Sequence, residues 1–181
     1  MIYQNLDDIY AMIEQQHARF VAAINGLNDA QAQFRPAIDE WSIAEIAEHI
    51  SIANHSFLRI TYKLLKQAEA ASAPPLAGLS LHHVLLNEEG QQKPERFPAP
   101  EIVKPQGGQN IADSLVKLEQ NLADFQTARP RLAAADCSQA KFPHPAVGEL
   151  NVYQWLIVLG EHLDRHRGQI ERLKAAPGYP A

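Results

Sequence analysis

Cysteine is nearly absent from this sequence, in which Cys137 is the single example among 181 residues. One thiol cannot form an internal disulfide, and the paired cysteines of many structural zinc sites are missing. A single cysteine suits a reducing compartment. Because the sequence places no base beside Cys137, we interpret it as a buried packing residue rather than a nucleophile.

Long apolar runs and basic clusters are also missing. The longest strongly apolar run, residues 155–159, is far shorter than the roughly 20 residues that cross a membrane. The acidic first residues lack the apolar core of a signal peptide. The net charge is −5, and no run of lysine or arginine could follow a phosphate backbone. We therefore expect a soluble, cytoplasmic protein with neither a membrane nor a nucleic acid as partner.

The pattern that is present is helical. Apolar residues recur at steps of three and four in four segments, and no segment alternates in the manner of a β-strand. The segments are residues 6–27, 42–70, 111–128 and 151–174. The second opens with a capping box between Ser42 and Glu45, flanked by Trp41 and Ile46 at the spacing of a hydrophobic staple. Proline at position 130 is expected to limit the third helix, although a further turn could follow it.

Residues 71–109 interrupt the helical pattern with many prolines and glycines, and a short helical turn is expected near residues 79–86. A helix of about 25 residues is roughly 38 Å long, and a connection of this length can return that distance. The second and third helices could therefore run parallel. The prediction is one domain, residues 1–181, forming an all-α four-helix bundle with a long crossover between helices two and three.

Three histidines stand where the apolar stripes require Leu or Ile. His162 and His166 lie four residues apart on the stripe of the fourth helix, so both imidazoles point the same way and can share one ion. His49 lies at the edge of the stripe of the second helix, whereas His55 faces roughly the opposite side.

The depths of these histidines along their helices agree. His49 is roughly 10 Å from the start of its helix, and His166 is roughly 12 Å from the end of its own. If the two helices are antiparallel neighbours, His49, His162 and His166 lie at one level. A purely structural role stays open, but burying imidazoles without partners costs on the order of 2 kcal/mol each. A shared metal ion would remove that cost.

Two further residues are candidates for a supporting role at this site. His17 interrupts the stripe of the first helix and is either a pocket residue or a structural one. Gln169 follows His166 by one turn and could orient a ligand imidazole, although an ordinary surface glutamine would fit the same position.

Histidines outside the helices carry weaker expectations. His144 precedes the fourth helix by a turn, and the start of that helix is roughly 16 Å along the axis from His162. We therefore expect capping or turn packing rather than metal ligation, unless the loop folds back. His82 and His83 lie in the crossover and could cover the site, but a solvated loop is the simpler interpretation.

The sequence offers no general base. The motif His-Leu-Asp-Arg-His lacks the glutamate of the zincin motif. Glu48, Glu161 and Asp164 adjoin the candidate ligands in sequence but point away on the helical wheel. Arg59 and Arg165 could attract an acidic substrate, although such residues are more often solvated surface charges.

Two blocks resemble the DinB-like superfamily, in particular its DinB/YfiT-like branch. Residues 41–49 are similar to its W-S-x-x-E-x-x-x-H block, and residues 144–173 resemble its second block, an H-P-x-x-G turn followed by a helix with H-x-x-x-H. Phe34, Arg35 and Pro36 also fit. The resemblance implies an up-down-down-up four-helix bundle, a homodimer, and a zinc or nickel ion held by His49, His162 and His166.

The resemblance also supplies the candidate functions. Relatives include S-transferases that use bacillithiol, mycothiol or glutathione, and proteins labelled metal-dependent hydrolases. Three neutral histidines leave a coordination position open, which suits either a thiol or water. Three hypotheses therefore stand: a metal-dependent transferase of a low-molecular-weight thiol, a metal-dependent hydrolase of a small substrate, and a non-enzymatic metal- or ligand-binding bundle.

Overall fold

The computed structural model describes residues 2–75, 78–85 and 98–181. Four long helices and one short helix account for most of these residues. They are α1 (Leu6–Ile24), α2 (Asp29–Gln33), α3 (Ile43–Ala70), α4 (Ile111–Ala134) and α5 (Val152–Lys174). A two-stranded antiparallel hairpin, β1 (Lys141–His144) and β2 (Gly148–Asn151), precedes α5.

Each of these helices begins at a side chain that can accept a hydrogen bond from a free backbone N–H of the first turn. The capping residues are Asn5, Asn28, Ser42, Asn110 and Asn151. Reciprocal capping boxes form at α2, α3 and α5, including the predicted pair Ser42 and Glu45. These caps fix where each helix starts, and with it the depth of every residue in the bundle.

Two pairs of long helices run parallel. In α1 and α5, the Lys174 Nζ donates to the Ala23 carbonyl at 2.6 Å, so the two C-terminal ends lie together. In α3 and α4, the Asn121 side chain donates to the Ser51 carbonyl near the N-terminal halves. Arg131 pairs with Glu69 near the C-terminal ends.

The two pairs run antiparallel to each other. The Tyr10 hydroxyl, early in α1, donates to the carbonyl of Phe125, late in α4. His49, early in α3, lies against His166, in the second half of α5, with ring centroids 4.9 Å apart. The bundle is therefore up-down-down-up, with α3 parallel to α4 across the long crossover, as predicted. Within the described ranges, no helix is both long enough and apolar enough to cross a membrane.

The helix boundaries differ from the sequence prediction at three places. The first helix ends at Ile24 rather than near residue 27, and the short α2 follows it. The third predicted helix extends beyond residue 128 and continues through Pro130 to Ala134, which adds the further turn that the sequence left open. Pro130 lies on the exposed face of α4, where water can satisfy the carbonyl that loses its helical partner.

The hairpin contradicts the expectation that the chain contains no strand. Its register pairs Lys141 with Asn151 and His144 with Gly148. Gly148 has a φ of 84°, a left-handed conformation that glycine adopts without strain, and this allows the tight return between the strands. The Trp155 indole N–H donates to the Phe142 carbonyl at 3.2 Å and fastens the hairpin to α5.

Most of the described crossover has no regular secondary structure. The helical turn expected near residues 79–86 is absent from residues 79–85, and residue 86 lies outside the described part. Instead, Leu81 exchanges backbone hydrogen bonds with Tyr3. A single 3-10 turn, Glu101–Val103, follows later in the crossover. These segments pass beside α3 and α5 at the level of the predicted histidine site.

Candidate metal centre

The structure brings His49, His162 and His166 together. The Nε2 atoms of His49 and His162 are 3.3 Å apart, and those of His166 and His162 are 3.2 Å apart. One nitrogen from each ring can be chosen so that all three lie within 4.8 Å of one another. His49 and His166 are buried, and His162 is half-buried. Adjacent zinc-bound nitrogens in a tetrahedral site are separated by about 3.3 Å, given bonds of ~2.0–2.1 Å.

Two of the rings are oriented by hydrogen bonds on their other nitrogen. His49 Nδ1 donates to the Val103 carbonyl at 2.7 Å. His166 Nδ1 donates to the Gln169 side-chain oxygen at 3.0 Å. With the proton on Nδ1, each neutral ring presents the lone pair of Nε2 to the cluster. Gln169 therefore lies where a residue that orients a ligand imidazole has to lie.

Without a cation, the three histidines cannot satisfy one another's nitrogen lone pairs. His49 Nε2 and His166 Nε2 are both acceptors, and both face His162 Nε2, which carries at most one proton to share between them. His162 Nδ1 is buried and has no partner among the described residues. A metal ion at the focus would satisfy all three Nε2 lone pairs at once, so these residues fit a metal.

Burial keeps these rings in the neutral form that metals bind. It lowers the pKa of His49 and lowers that of His166 to about 3. Burial holds the pKa of His162 well below its ordinary value, and the neighbouring His166, His49 and Arg165 disfavour a positive charge on the ring further. No proton has to be removed from an imidazolium near neutral pH before an ion binds.

A cavity of about 970 Å³ opens beside the three histidines. Aromatic and aliphatic side chains form much of its wall, and the crossover and the β1–β2 hairpin contribute the sides that the helices leave open. Residues that line it include Trp41, Phe57, Ile102, Phe142 and Trp155. A volume of this size is at the upper end of the range for small-molecule sites.

Two buried carboxylates that precede the candidate ligands hold the crossover. Glu48 accepts from the backbone N–H groups of Gln106 and Gly107 at 3.2 and 3.1 Å. Glu161 accepts from the backbone N–H groups of Val84 and Leu85, the latter at 2.6 Å.

Glu161 also pairs with His83 Nδ1 at 2.7 Å. His83 thus attaches the crossover to α5 rather than lying in a solvated loop. Both carboxylates point away from the histidines, as the helical wheel predicts, and their role as anchors was not foreseen.

Other candidates lie apart from the histidine cluster. His17 pairs with Glu119 of α4 at 3.1 Å and is not among the residues that line the cavity, so the structure gives it a helix-to-helix contact instead of the supporting role considered for it. His55 is exposed, as expected. Cys137 is fully buried, and burial raises the pKa of its thiol to about 11, which fits the predicted packing role.

Cationic side chains line part of the cavity. Arg165 and Arg172 of α5 are among the lining residues, whereas Arg59 is not. Exposed acidic residues, Asp39 and Glu40, lie elsewhere on the same lining. Of the two arginines considered from the sequence, only Arg165 is placed where it could meet a ligand.

Sequence reasoning missed two contributors to the centre. The Val103 carbonyl belongs to a proline-rich segment without periodicity, so no pattern placed it beside His49. The indole of Trp41 lies against the ring of His49, with centroids 4.9 Å apart. Trp41 is expected only as part of a helix staple, because it precedes the N-cap Ser42 and helical periodicity does not place a residue outside the helix.

Comparison with known proteins agrees with this architecture. The sequence profile of the DinB superfamily matches residues 12–170. The "Uncharacterized protein YuaE" of Bacillus subtilis (strain 168) is 25% identical over 159 residues, which cover 83% of this chain and 88% of that protein. TT2238, described as a four-helix bundle protein, shares the fold with a TM-score of 0.60 at 18% identity, over 92% of this chain and 98% of its own. This chain belongs to the DinB superfamily.

Proposed function

We propose that this chain binds a divalent metal ion, zinc or nickel, through His49, His162 and His166 and uses it to transfer a low-molecular-weight thiol. One observation carries the proposal. Two imidazoles are held with their protons on Nδ1, by Val103 and Gln169, so that their Nε2 lone pairs converge with His162 at the wall of a cavity. A site with three histidines keeps a position open for a ligand, unlike a closed structural site.

A bound divalent ion supplies Lewis acidity, which favours the deprotonated form of a thiol. The chain supplies the rest. Val103 and Gln169 fix the orientation of two rings, and the aromatic side chains that line the cavity offer an apolar surface beside them. Arg165 lies on the same lining and favours a thiol that carries carboxylates.

The hydrogen bonds and the exposure of the acidic residues favour thiol transfer over hydrolysis. Hydrolysis needs a base that accepts a proton from water during attack. In the described ranges, the carboxylates nearest in sequence to the ligands, Glu48 and Glu161, accept backbone hydrogen bonds from the crossover. The acidic residues that line the cavity in that part of the chain, Asp39 and Glu40, are exposed. Thiol transfer does not require a base for water.

Metal analysis of the purified protein tests the first half of the proposal. Wild type, His162→Ala and the control His55→Ala are purified in parallel and their bound metals measured by mass spectrometry. We expect about one zinc or nickel ion per chain in wild type and the control, and a large loss in His162→Ala, because three ligands are reduced to two. Equal metal content in all three proteins contradicts the assigned ligands.

Product analysis with metal-loaded protein tests the second half. Bacillithiol, mycothiol and glutathione are each offered with 1-chloro-2,4-dinitrobenzene, so that a carbon–sulfur bond forms as chloride leaves and the thiol proton passes to buffer. We expect a thioether product above the uncatalysed rate with at least one thiol, and none above that rate with His162→Ala. Turnover of a panel of esters and amides instead supports the hydrolase hypothesis. Turnover of none supports a non-enzymatic binding bundle.

A further inference from the structure

The β1–β2 hairpin brings a fourth histidine to the cavity. His144, the last residue of β1, lines the cavity together with its neighbours Phe142, Pro143, Pro145 and Ala146. The start of α5 lies roughly 16 Å along the axis from His162, but the hairpin folds back onto α5, where Trp155 fastens it. His144 is half-buried and is not one of the converging imidazoles.

The hydrogen bonds of His144 settle which of its nitrogens carries the proton. The backbone N–H of Ala146 donates to His144 Nδ1 at 3.1 Å, so Nδ1 is an acceptor. Burial lowers the pKa of the ring, which is consequently neutral near pH 7 with its proton on Nε2. The described part of the chain gives that Nε2–H no hydrogen-bond partner, so the donor is available to a ligand in the cavity.

A continuous aromatic wall connects His144 with the candidate metal centre. The His144 ring lies 5.1 Å from the Trp155 ring, Trp155 lies 5.5 Å from Phe57, and Phe57 lies 5.6 Å from His162. The Trp155 indole N–H is occupied by the Phe142 carbonyl. The polar donor that this wall offers at its far end is therefore His144 Nε2–H, and the surface between the two ends is apolar, with neighbouring rings inclined to one another by 49–76°.

We propose that His144 binds the ligand directly, and that the cavity selects apolar compounds that carry a hydrogen-bond acceptor oxygen at the end remote from the three-histidine centre. The aromatic rings of Phe57 and Trp155 contact the apolar body of the ligand, and His144 donates to the oxygen. The inference deepens the proposed function by naming the class of the second substrate, an unsaturated or aromatic carbonyl compound, and it uses the same cavity.

A matched pair of probes tests the donor. Dissociation constants of 2-acetylnaphthalene, which has an acceptor oxygen, and 2-ethylnaphthalene, which has the same shape without one, are measured by equilibrium dialysis. The proteins are wild type, His144→Phe, His144→Gln and the control His55→Phe. Phenylalanine keeps a ring against Trp155 and removes the donor, whereas glutamine restores an N–H.

We expect both probes to bind wild type. His144→Phe lowers the affinity for the ketone about five- to tenfold relative to the hydrocarbon, which is the effect of one lost hydrogen bond. His144→Gln recovers part of that ratio, and His55→Phe leaves it unchanged. A purely structural His144 would weaken both probes equally or neither, and this result overturns the proposal. Failure of wild type to bind either probe overturns the ligand class.

Measuring the same ratios in metal-free and zinc-loaded protein separates this inference from the proposed function. If the ratio of the ketone affinity to the hydrocarbon affinity depends on His144 in metal-free protein, the inference is supported even when no metal binds. Thermal unfolding of each variant shows whether the fold is intact, and the ratio of two affinities measured on one protein cancels a uniform loss of folded material.

Discussion

Replacing His162 with leucine tests the metal centre and its packing at once. Leucine is close to histidine in size and can fill the same space beside Phe57, whose ring lies 5.6 Å from that of His162. In metal-free protein the substitution removes a neutral ring whose Nδ1 is buried without a partner in the described part of the chain. We therefore expect the metal-free variant to be as stable as wild type or up to about 1–2 kcal/mol more stable.

With metal bound, wild type becomes more stable than His162→Leu. An ion present at a hundredfold excess over its dissociation constant stabilises wild type by about 2.7 kcal/mol. For a domain of this length, each 1 kcal/mol moves the unfolding midpoint by ~2–4 °C, so the expected rise is about 5–11 °C. His162→Leu keeps only His49 and His166, and its rise should fall below about 2 °C.

Thermal unfolding followed by circular dichroism measures these effects in EDTA and in excess zinc. His55→Leu, at an exposed position of the same helix as His49, is the matched control and should retain the wild-type rise. A His162→Leu variant that keeps the full zinc-induced rise, while His55→Leu also keeps it, would refute the assignment of His162 as a ligand. A large loss of stability in EDTA would refute the account of its unpaired nitrogen.

Three further predictions concern the packing that supports the site. A Cβ on Gly160 would collide with the Met12 sulfur. The loss of unfolding free energy caused by Gly160→Ala should therefore be at least about 1 kcal/mol smaller in a Met12→Ala background than in wild type, as measured by a double-mutant cycle of urea unfolding. Cys137 should resist a thiol reagent at pH 8 until the chain unfolds. Burial raises the pKa of the Cys137 thiol from 9.0 to about 11, so the stabilising effect of the neutral thiol is complete below about pH 9 and declines as the pH rises through 11. Urea unfolding midpoints measured across that pH range would show the decline. Tyr10→Phe leaves the Phe125 carbonyl without its 2.8 Å partner and should cost about 1–2 kcal/mol in the same unfolding assay.

The cluster of His49, His162 and His166 could be predicted because helical periodicity converts a position in the sequence into a face and a depth. Ser42 and Asn151 mark where the two helices begin, so the count of residues to each histidine was meaningful. The same reasoning separated His49 from the exposed His55. These predictions needed no knowledge of how the loops are arranged.

The parts of the fold and of the site that could not be predicted lie in segments without hydrophobic periodicity. β1 and β2 are four residues each, and Pro143 lies inside β1. The alternation of apolar and polar residues that indicates a strand could therefore not be recognised in the sequence. Without the hairpin, His144 was assigned to turn packing. α2 was missed although Asn28 and Gln31 form a capping box, a pattern that was used to identify α3. The extension of α4 through Pro130 depends on exposure, which the sequence does not give.

The acceptor for His49 is a backbone carbonyl, and backbone atoms are the same at every position. Nothing in the sequence distinguishes Val103 from its neighbours as the residue that orients the ring. Gln169 could be identified because its interaction with His166 runs through a side chain one turn away on the same helix.

The anchoring of the crossover has an evolutionary consequence. Glu48 and Glu161 bind mainly backbone N–H groups, which every residue except proline provides. Substitutions at Gln106, Val84 or Leu85 can therefore change the side chain without detaching the segment. Because Leu85 and other crossover residues line the cavity, relatives can acquire new ligand preferences there while the histidines on the helices stay unchanged.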